Sequence, residues 1–224
     1  MELAQIAENV KTIKSSLERG NGYGENVLLV AATKTQTAEA INAAIDGGVD
    51  AVAENRVQEF RDKNEAVNGD CPRHFIGHLQ TNKVKYLVGK VDLFHSCDRD
   101  DLAAEISRLS QIRGVVSNVL VQVNIGNEET KGGYPLSEAY EVYLRLKATP
   151  ALCVQGFMAM LPVSDDEAFL VRLIKEMRAL FERAKQEDGN IRYLSMGMSG
   201  DYKLCVAHGS NVVRLGSTIF GARG

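Results

Sequence analysis

The chain has 224 residues, 45% hydrophobic and 25% charged, a size and balance that suit one globular domain with an ample core. A net charge of −3 offers no basic surface for nucleic acid or an anionic membrane, and no apolar run is long enough to span a bilayer. Met1-Glu2-Leu3-Ala4 puts an acid where a secretory leader needs basic charge, and Cys71, Cys97, Cys153 and Cys205 form no CxxC pair, so buried thiols in a reducing cytoplasm are expected.

Leu3, Ile6, Val10, Ile13 and Leu17 recur at helical spacing, and the glycine-rich stretch from Gly20 to Gly24 ends that helix. Short apolar runs then alternate with amphipathic stretches. Strands are predicted at 27–32, 51–53, 74–76, 93–95, 116–123, 152–158, 192–195 and 212–215. Helices are predicted at 37–46, 55–66, 81–87, 99–112, 137–147 and 165–186, the last opening on Asp165, Asp166 and Glu167, which suit the positive end of a helix dipole. No Pro- or Ser-rich linker and no repeat divides the chain, so a single domain over 1–224 is expected. Eight short strands alternating with helices predict a parallel sheet closed into a (β/α)₈ barrel, with one extra helix at the N-terminus. Such a barrel places reactive groups just after its strands and a phosphate after strands seven and eight.

Lys34 follows the first strand. A lysine fixed there can lose solvent and attack a carbonyl, although strand-end lysines more often face water. After strand two, Asn55 is either a helix N-cap or an amide turned toward a ligand. His74 and His78 are four apart, but Ile76-Gly77 reads as a strand end and no carboxylate stands near, so no metal is expected and His78 with Gln80 is placed at the mouth. Met158 and Met160 pack either on a ligand ring or in the core. After strand seven, Ser195, Gly197, Ser199 and Gly200 offer hydroxyls and backbone N–H groups with little bulk, and Gly216-Ser217-Thr218 offers a second wall after strand eight. Arg214 points either at a ligand's acceptor or at a carboxylate such as Glu54. A lysine beside a phosphate cup is what pyridoxal 5′-phosphate (PLP) requires. On that ligand, Arg214 would face the pyridine nitrogen and keep it unprotonated.

Taken together, Ala32-Thr33-Lys34-Thr35, the 53–59 segment from Ala53 to Glu59, the 74–83 segment from His74 to Lys83, Gly156-Phe157-Met158-Ala159-Met160, the 195–201 segment and the 213–221 segment resemble the PLP homeostasis proteins, single-domain relatives of the alanine racemase barrel. The resemblance covers nearly the whole chain. It implies a barrel of the alanine racemase N-terminal-domain type carrying PLP as a Schiff base on Lys34. It also implies phosphate contacts from Ser195, Ser199, Gly216 and Ser217, with Asn55 and Arg214 near the ring. Many members carry a second lysine two residues after the first; here that position is Gln36.

A two-base racemase needs a second acid or base opposite its lysine, supplied in alanine racemases by a tyrosine of a separate C-terminal domain. The sequence reaches Gly224 directly after the last barrel segment, so no such domain is expected. The resemblance therefore implies intracellular PLP binding and vitamin B6 homeostasis by a monomer, without established turnover, with PLP-dependent apoenzymes as candidate recipients. A weak racemase is the second reading.

Overall fold

The computed structural model describes residues 1–221. Eight parallel strands form its centre: β1 (Leu28–Ala32), β2 (Ala51–Glu54), β3 (Arg73–Phe75), β4 (Leu93–Cys97), β5 (Ser117–Asn124), β6 (Leu152–Ala159), β7 (Tyr193–Ser195) and β8 (Val212–Leu215). Each pairs with the next, and β8 returns to β1 with Leu28 opposite Val212 and Ala31 opposite Leu215, so the sheet closes into the expected barrel. Closure leaves none of these eight strands as a sheet edge, which is why they can be short and apolar without inviting a partner chain.

The helices are α1 (Leu3–Leu17), α2 (Ala38–Asp46), α3 (Val57–Lys63), α4 (Asp100–Arg113), α5 (Ala139–Lys147), α6 (Glu167–Glu187), α7 (Tyr202–Ala207) and α8 (Ser217–Phe220). The periodic residues Ile6, Val10, Ile13 and Leu17 of α1 are buried with Ile41 and Ala44 of α2 and Ile219 of α8. The expected N-terminal helix thus covers the outside of the barrel where its first and last segments meet. Asp50 ties it down by accepting the Lys14 ammonium at 2.7 Å and the Leu29 N–H at 2.7 Å.

The structure departs from the sequence reading in local ways. The segment at Thr81–Tyr86 is a 3₁₀ helix, with i to i−3 bonds from Lys83 to Gln80 and from Leu87 to Val84; only Val84 of its six residues is buried, too little apolar surface to hold an α-helical face. The third helix begins at Val57, two residues later than expected. A two-residue strand, Tyr134–Pro135, which the sequence did not reveal, pairs alongside β5.

Alternation along the strands sends one set of side chains outward to the helices and the other inward. The inward faces carry two small apolar groups, Val30/Ala51/Ala53/Val212 and Leu93/Leu120/Met158. They also carry a buried polar row, His74, His95, Ser195 and Arg214.

Candidate functional site

A cleft of about 280 Å³ opens at the carboxyl ends of the strands. Lys34, Thr35 and Gln36 reach it from the turn after β1, Asn55 from the loop after β2, and Ile76 from the end of β3. Met198, Ser199 and Gly200 line it from the loop after β7, and Arg214, Gly216 and Ser217 from β8 and the turn that follows. Residues far apart in sequence meet here because every parallel strand ends at the same rim.

Arg214 is the electrostatic centre. It is 5% exposed, and its Nη1 donates to the Ser195 carbonyl at 2.8 Å and to Ser195 Oγ at 2.6 Å, while Nη2 donates to the Ala159 carbonyl at 3.2 Å. Burial pulls its pKa down to about 10, which leaves it charged at neutral pH. Among the described residues no carboxylate pairs with it. Glu54, the alternative partner raised by the sequence, instead binds Lys63 at 2.9 Å and the Thr33 hydroxyl at 2.7 Å. A buried cation held only by neutral acceptors is well placed to meet an acceptor or anion from a ligand.

Beneath Arg214 the polar row runs across the barrel interior. Ser195 Oγ lies 3.0 Å from His95 Nδ1, and His95 Nε2 lies 3.0 Å from His74 Nδ1. Because Ser195 Oγ accepts from Arg214, its own proton is free to go to His95, which then donates onward to His74. Burial, then the neighbouring His74 and Arg214, hold His95 well below the usual histidine range, and burial pushes His74 down to about 4. Both imidazoles are neutral at physiological pH.

Asn55 faces the cleft and leaves its buried Oδ1 without a hydrogen-bond partner. It is not an N-cap: that position is Arg56, which makes no side-chain cap bond. Across the cleft, Ser199 Oγ is approached by the N–H groups of Gly216 at 3.4 Å and Thr218 at 3.3 Å, contacts long enough that a charged oxygen would take both donors more tightly. Among the described residues no cluster could hold a metal ion.

Several residues singled out from the sequence lie elsewhere, among them Gln80, which is exposed just ahead of the 3₁₀ helix and does not line the cleft. Ser195 is fully buried under Arg214 and does not reach the cleft. Met158 is 1% exposed and packs with Leu93 and Leu120, so it fills the barrel. Gly197, at φ +102, brings the loop backbone against Tyr202, and its carbonyl accepts the Arg214 N–H at 2.9 Å, a structural role behind the rim. His78 turns away, its side chain 65% exposed and its Nδ1 3.0 Å from Asp98 Oδ2. The sequence had not marked Thr35, Met198 or Phe220 as lining residues. Their only signal is their position one or two residues beyond a residue already chosen.

The chemistry of this donor set fits PLP: an amine for its aldehyde, an unpartnered amide beside the ring, a guanidinium for an unprotonated ring nitrogen, and a hydroxyl with two N–H groups for the phosphate. The family described as the alanine racemase N-terminal domain matches residues 1–224. A pyridoxal phosphate homeostasis protein of Aquifex aeolicus is 40% identical over 225 residues, spanning 98% of this chain and 97% of that protein. The protein of the same name from Escherichia coli (strain K12) is 33% identical, spanning 99% and 95%. PipY of Synechococcus elongatus PCC7942, solved with PLP bound, superposes with a TM-score of 0.83 at 28% identity, covering 96% of this chain and all of that one, 100%.

Proposed function

This chain belongs to the alanine racemase N-terminal-domain family, as one of its pyridoxal phosphate homeostasis proteins, and from that membership we propose that it binds PLP and serves in the intracellular supply of this form of vitamin B6. The observation that carries the reading is the meeting of Lys34, Arg214 and the Ser199–Gly216–Ser217 wall in one cleft. When bound, the cofactor supplies an electrophilic aldehyde and an electron-withdrawing ring. Lys34 would hold it as a Schiff base, Asn55 and Arg214 would orient the ring, and Ser199 with the Gly216 and Thr218 N–H groups would hold the phosphate. Residues 1–224 act on this reading as one PLP-binding domain, a cytoplasmic monomer with PLP-dependent apoenzymes as recipients.

The cleft lining supports holding over turnover. Among the described residues its only ionisable side chains are Lys34 and Arg214, and the residue two after Lys34 is the amide Gln36. An amino acid racemised here would find one base and no second proton donor opposite it.

The test is the visible spectrum of the protein incubated with PLP, before and after borohydride reduction, with peptide mapping. The expected result is an imine absorbance and a reduced adduct on Lys34, both absent in Lys34→Ala. A colourless protein without an adduct at Lys34 would overturn the proposal. Solvent deuterium incorporated at the α-carbon of any amino acid would favour the racemase reading instead.

A further inference from the structure

Lys34 sits between two points of a single closed ring of polar contacts. Ahead of it, Thr33 is 1% exposed, its N–H donates to the Ala53 carbonyl at 2.9 Å, and its hydroxyl donates to Glu54 Oε1 at 2.7 Å. Behind it, the Thr35 N–H donates to Glu59 Oε2 at 2.6 Å. Lys63 closes the ring, with Nζ 2.9 Å from Glu54 Oε1, 2.9 Å from Glu59 Oε2 and 3.3 Å from the Thr33 carbonyl. One end of β2 and one face of α3 therefore grip the residues on either side of the amine.

The grip coincides with strain. The Gln36 N–H donates to the Thr33 carbonyl at 3.0 Å, which makes 33–36 a β-turn with Lys34 and Thr35 at its centre. Thr35 has φ +64, a left-handed value that turns normally assign to glycine and that a β-branched residue accepts only when its surroundings impose it. The acceptor that fixes the Thr35 N–H is Glu59, and Glu59 is fixed by Lys63.

We infer that Glu59 and Lys63 are positioning residues for Lys34, holding the strained turn that projects its amine into the cleft. The inference rests on the reading of Lys34 as the attachment point. Attachment joins the Lys34 nitrogen to the aldehyde carbon and releases the aldehyde oxygen as water, so it depends on where the amine stands. Binding of the ring and phosphate does not. Lys63 keeps its charge inside the ring: burial alone would lower its pKa, but hydrogen bonds to Glu59 and Glu54 more than reverse that.

The test compares two probes in wild type and Glu59→Ala. One is the rate at which PLP becomes borohydride-trappable on Lys34; the other is the affinity for pyridoxamine 5′-phosphate, which has no aldehyde. Glu59→Ala is expected to slow attachment by roughly tenfold or more, the scale of effect that misplacing a reacting group produces, while pyridoxamine phosphate affinity stays within about twofold. Adding Thr35→Gly is expected to restore attachment, because glycine holds the positive φ unaided. Wild-type attachment in Glu59→Ala, an equal loss of both probes, or no rescue by Thr35→Gly would each overturn the inference. Should Glu59→Ala not fold, Glu59→Gln decides: attachment is expected to slow severalfold, and a wild-type rate overturns. Hydrogen exchange at the Thr35 amide in the cofactor-free protein separates this from failure of the PLP reading. Protection in wild type that is lost in Glu59→Ala supports the ring even if no adduct forms on any variant, and an unprotected wild-type amide overturns it.

Discussion

Ser199 shows how much one hydroxyl can carry. The Gly216 and Thr218 N–H groups converge on it at 3.4 and 3.3 Å, so they are oriented but weakly used. On the PLP reading, Ser199→Ala would remove one donor to the phosphate and the group that the Gly216 and Thr218 N–H groups approach. Loss of a hydrogen bond to a charged group costs about 1.5–3 kcal/mol, so the dissociation constant for PLP is expected to rise roughly ten- to hundredfold. The thermal midpoint of the cofactor-free protein is expected to stay unchanged, and equilibrium dialysis beside a melting curve checks both. Lys34, Ser199, Gly216 and Ser217 were readable in the sequence because each stands just past an apolar strand, where a parallel barrel has its rim. Ser195 and Met158 were harder. Strand alternation tells which face a side chain takes but not how deep in the barrel it lies, and both are one level below the cleft. His95 read only as part of a strand. Its bonds to Ser195 and His74 join β3, β4 and β7, a juxtaposition that no local pattern announces.

At the scale of elements, close backbone approaches decide where loops sit. A Cβ on Gly77 would stand 2.0 Å from the Asn55 carbonyl oxygen, so the loop after β3 presses directly on the loop after β2. Asn55 is held in that loop, off the start of α3, which begins at Val57. The sequence showed an Asn ahead of an amphipathic stretch and left both its uses open; only the neighbouring loop decides between them. Gly77→Ala is expected to displace Asn55 and weaken PLP binding while Lys34 stays competent for attachment, which affinity and trapping measured together will separate. Gly197 is a second such point. Its φ of +102 and the 2.8 Å between an added Cβ and Tyr202 Cα leave no room for a side chain. Gly197→Ala is expected to lower stability by about 1–3 kcal/mol in urea unfolding, the cost of forcing an L-residue into such a conformation. In sequence the 81–87 segment reads as a regular helix because Val84 and Leu87 are spaced i, i+3, which suits a 3₁₀ turn as well as an α-helix.

For the molecule as a whole, the neutral histidines within the barrel set its response to acid. His74 titrates near 4 when folded against an ordinary 6.5, and burial likewise holds His95 well below 6.5. The unfolded chain therefore takes up protons first as pH falls below 6.5, and folding stability declines from there toward 4. Glu25 adds a later loss. Burial would raise its carboxyl, but hydrogen bonds from Arg178, Lys185 and Asn21 bring it down to about 2, so its contribution disappears as pH falls from 4.5 toward that value. Urea midpoints across this range should fall in both windows, and a midpoint that holds steady from about pH 7 to about pH 4.5 would contradict the first. Arg178, the partner of Glu25, is 3% exposed, donates to the Gly209 carbonyl at 2.8 Å and lies over the Tyr23 ring at 4.0 Å. Arg178→Ala is expected to cost about 3–5 kcal/mol, since it strands a partly buried acid and unties α6 from the segments that lead into β1 and β8. The closure of the sheet has one more consequence. The strand leading to Lys34 lies between β2 and β8, and β8 brings both the guanidinium and the last wall of the cleft. On the PLP reading, a nascent polypeptide would own the amine long before it owned the last wall of the vitamin's seat, so loading would follow synthesis.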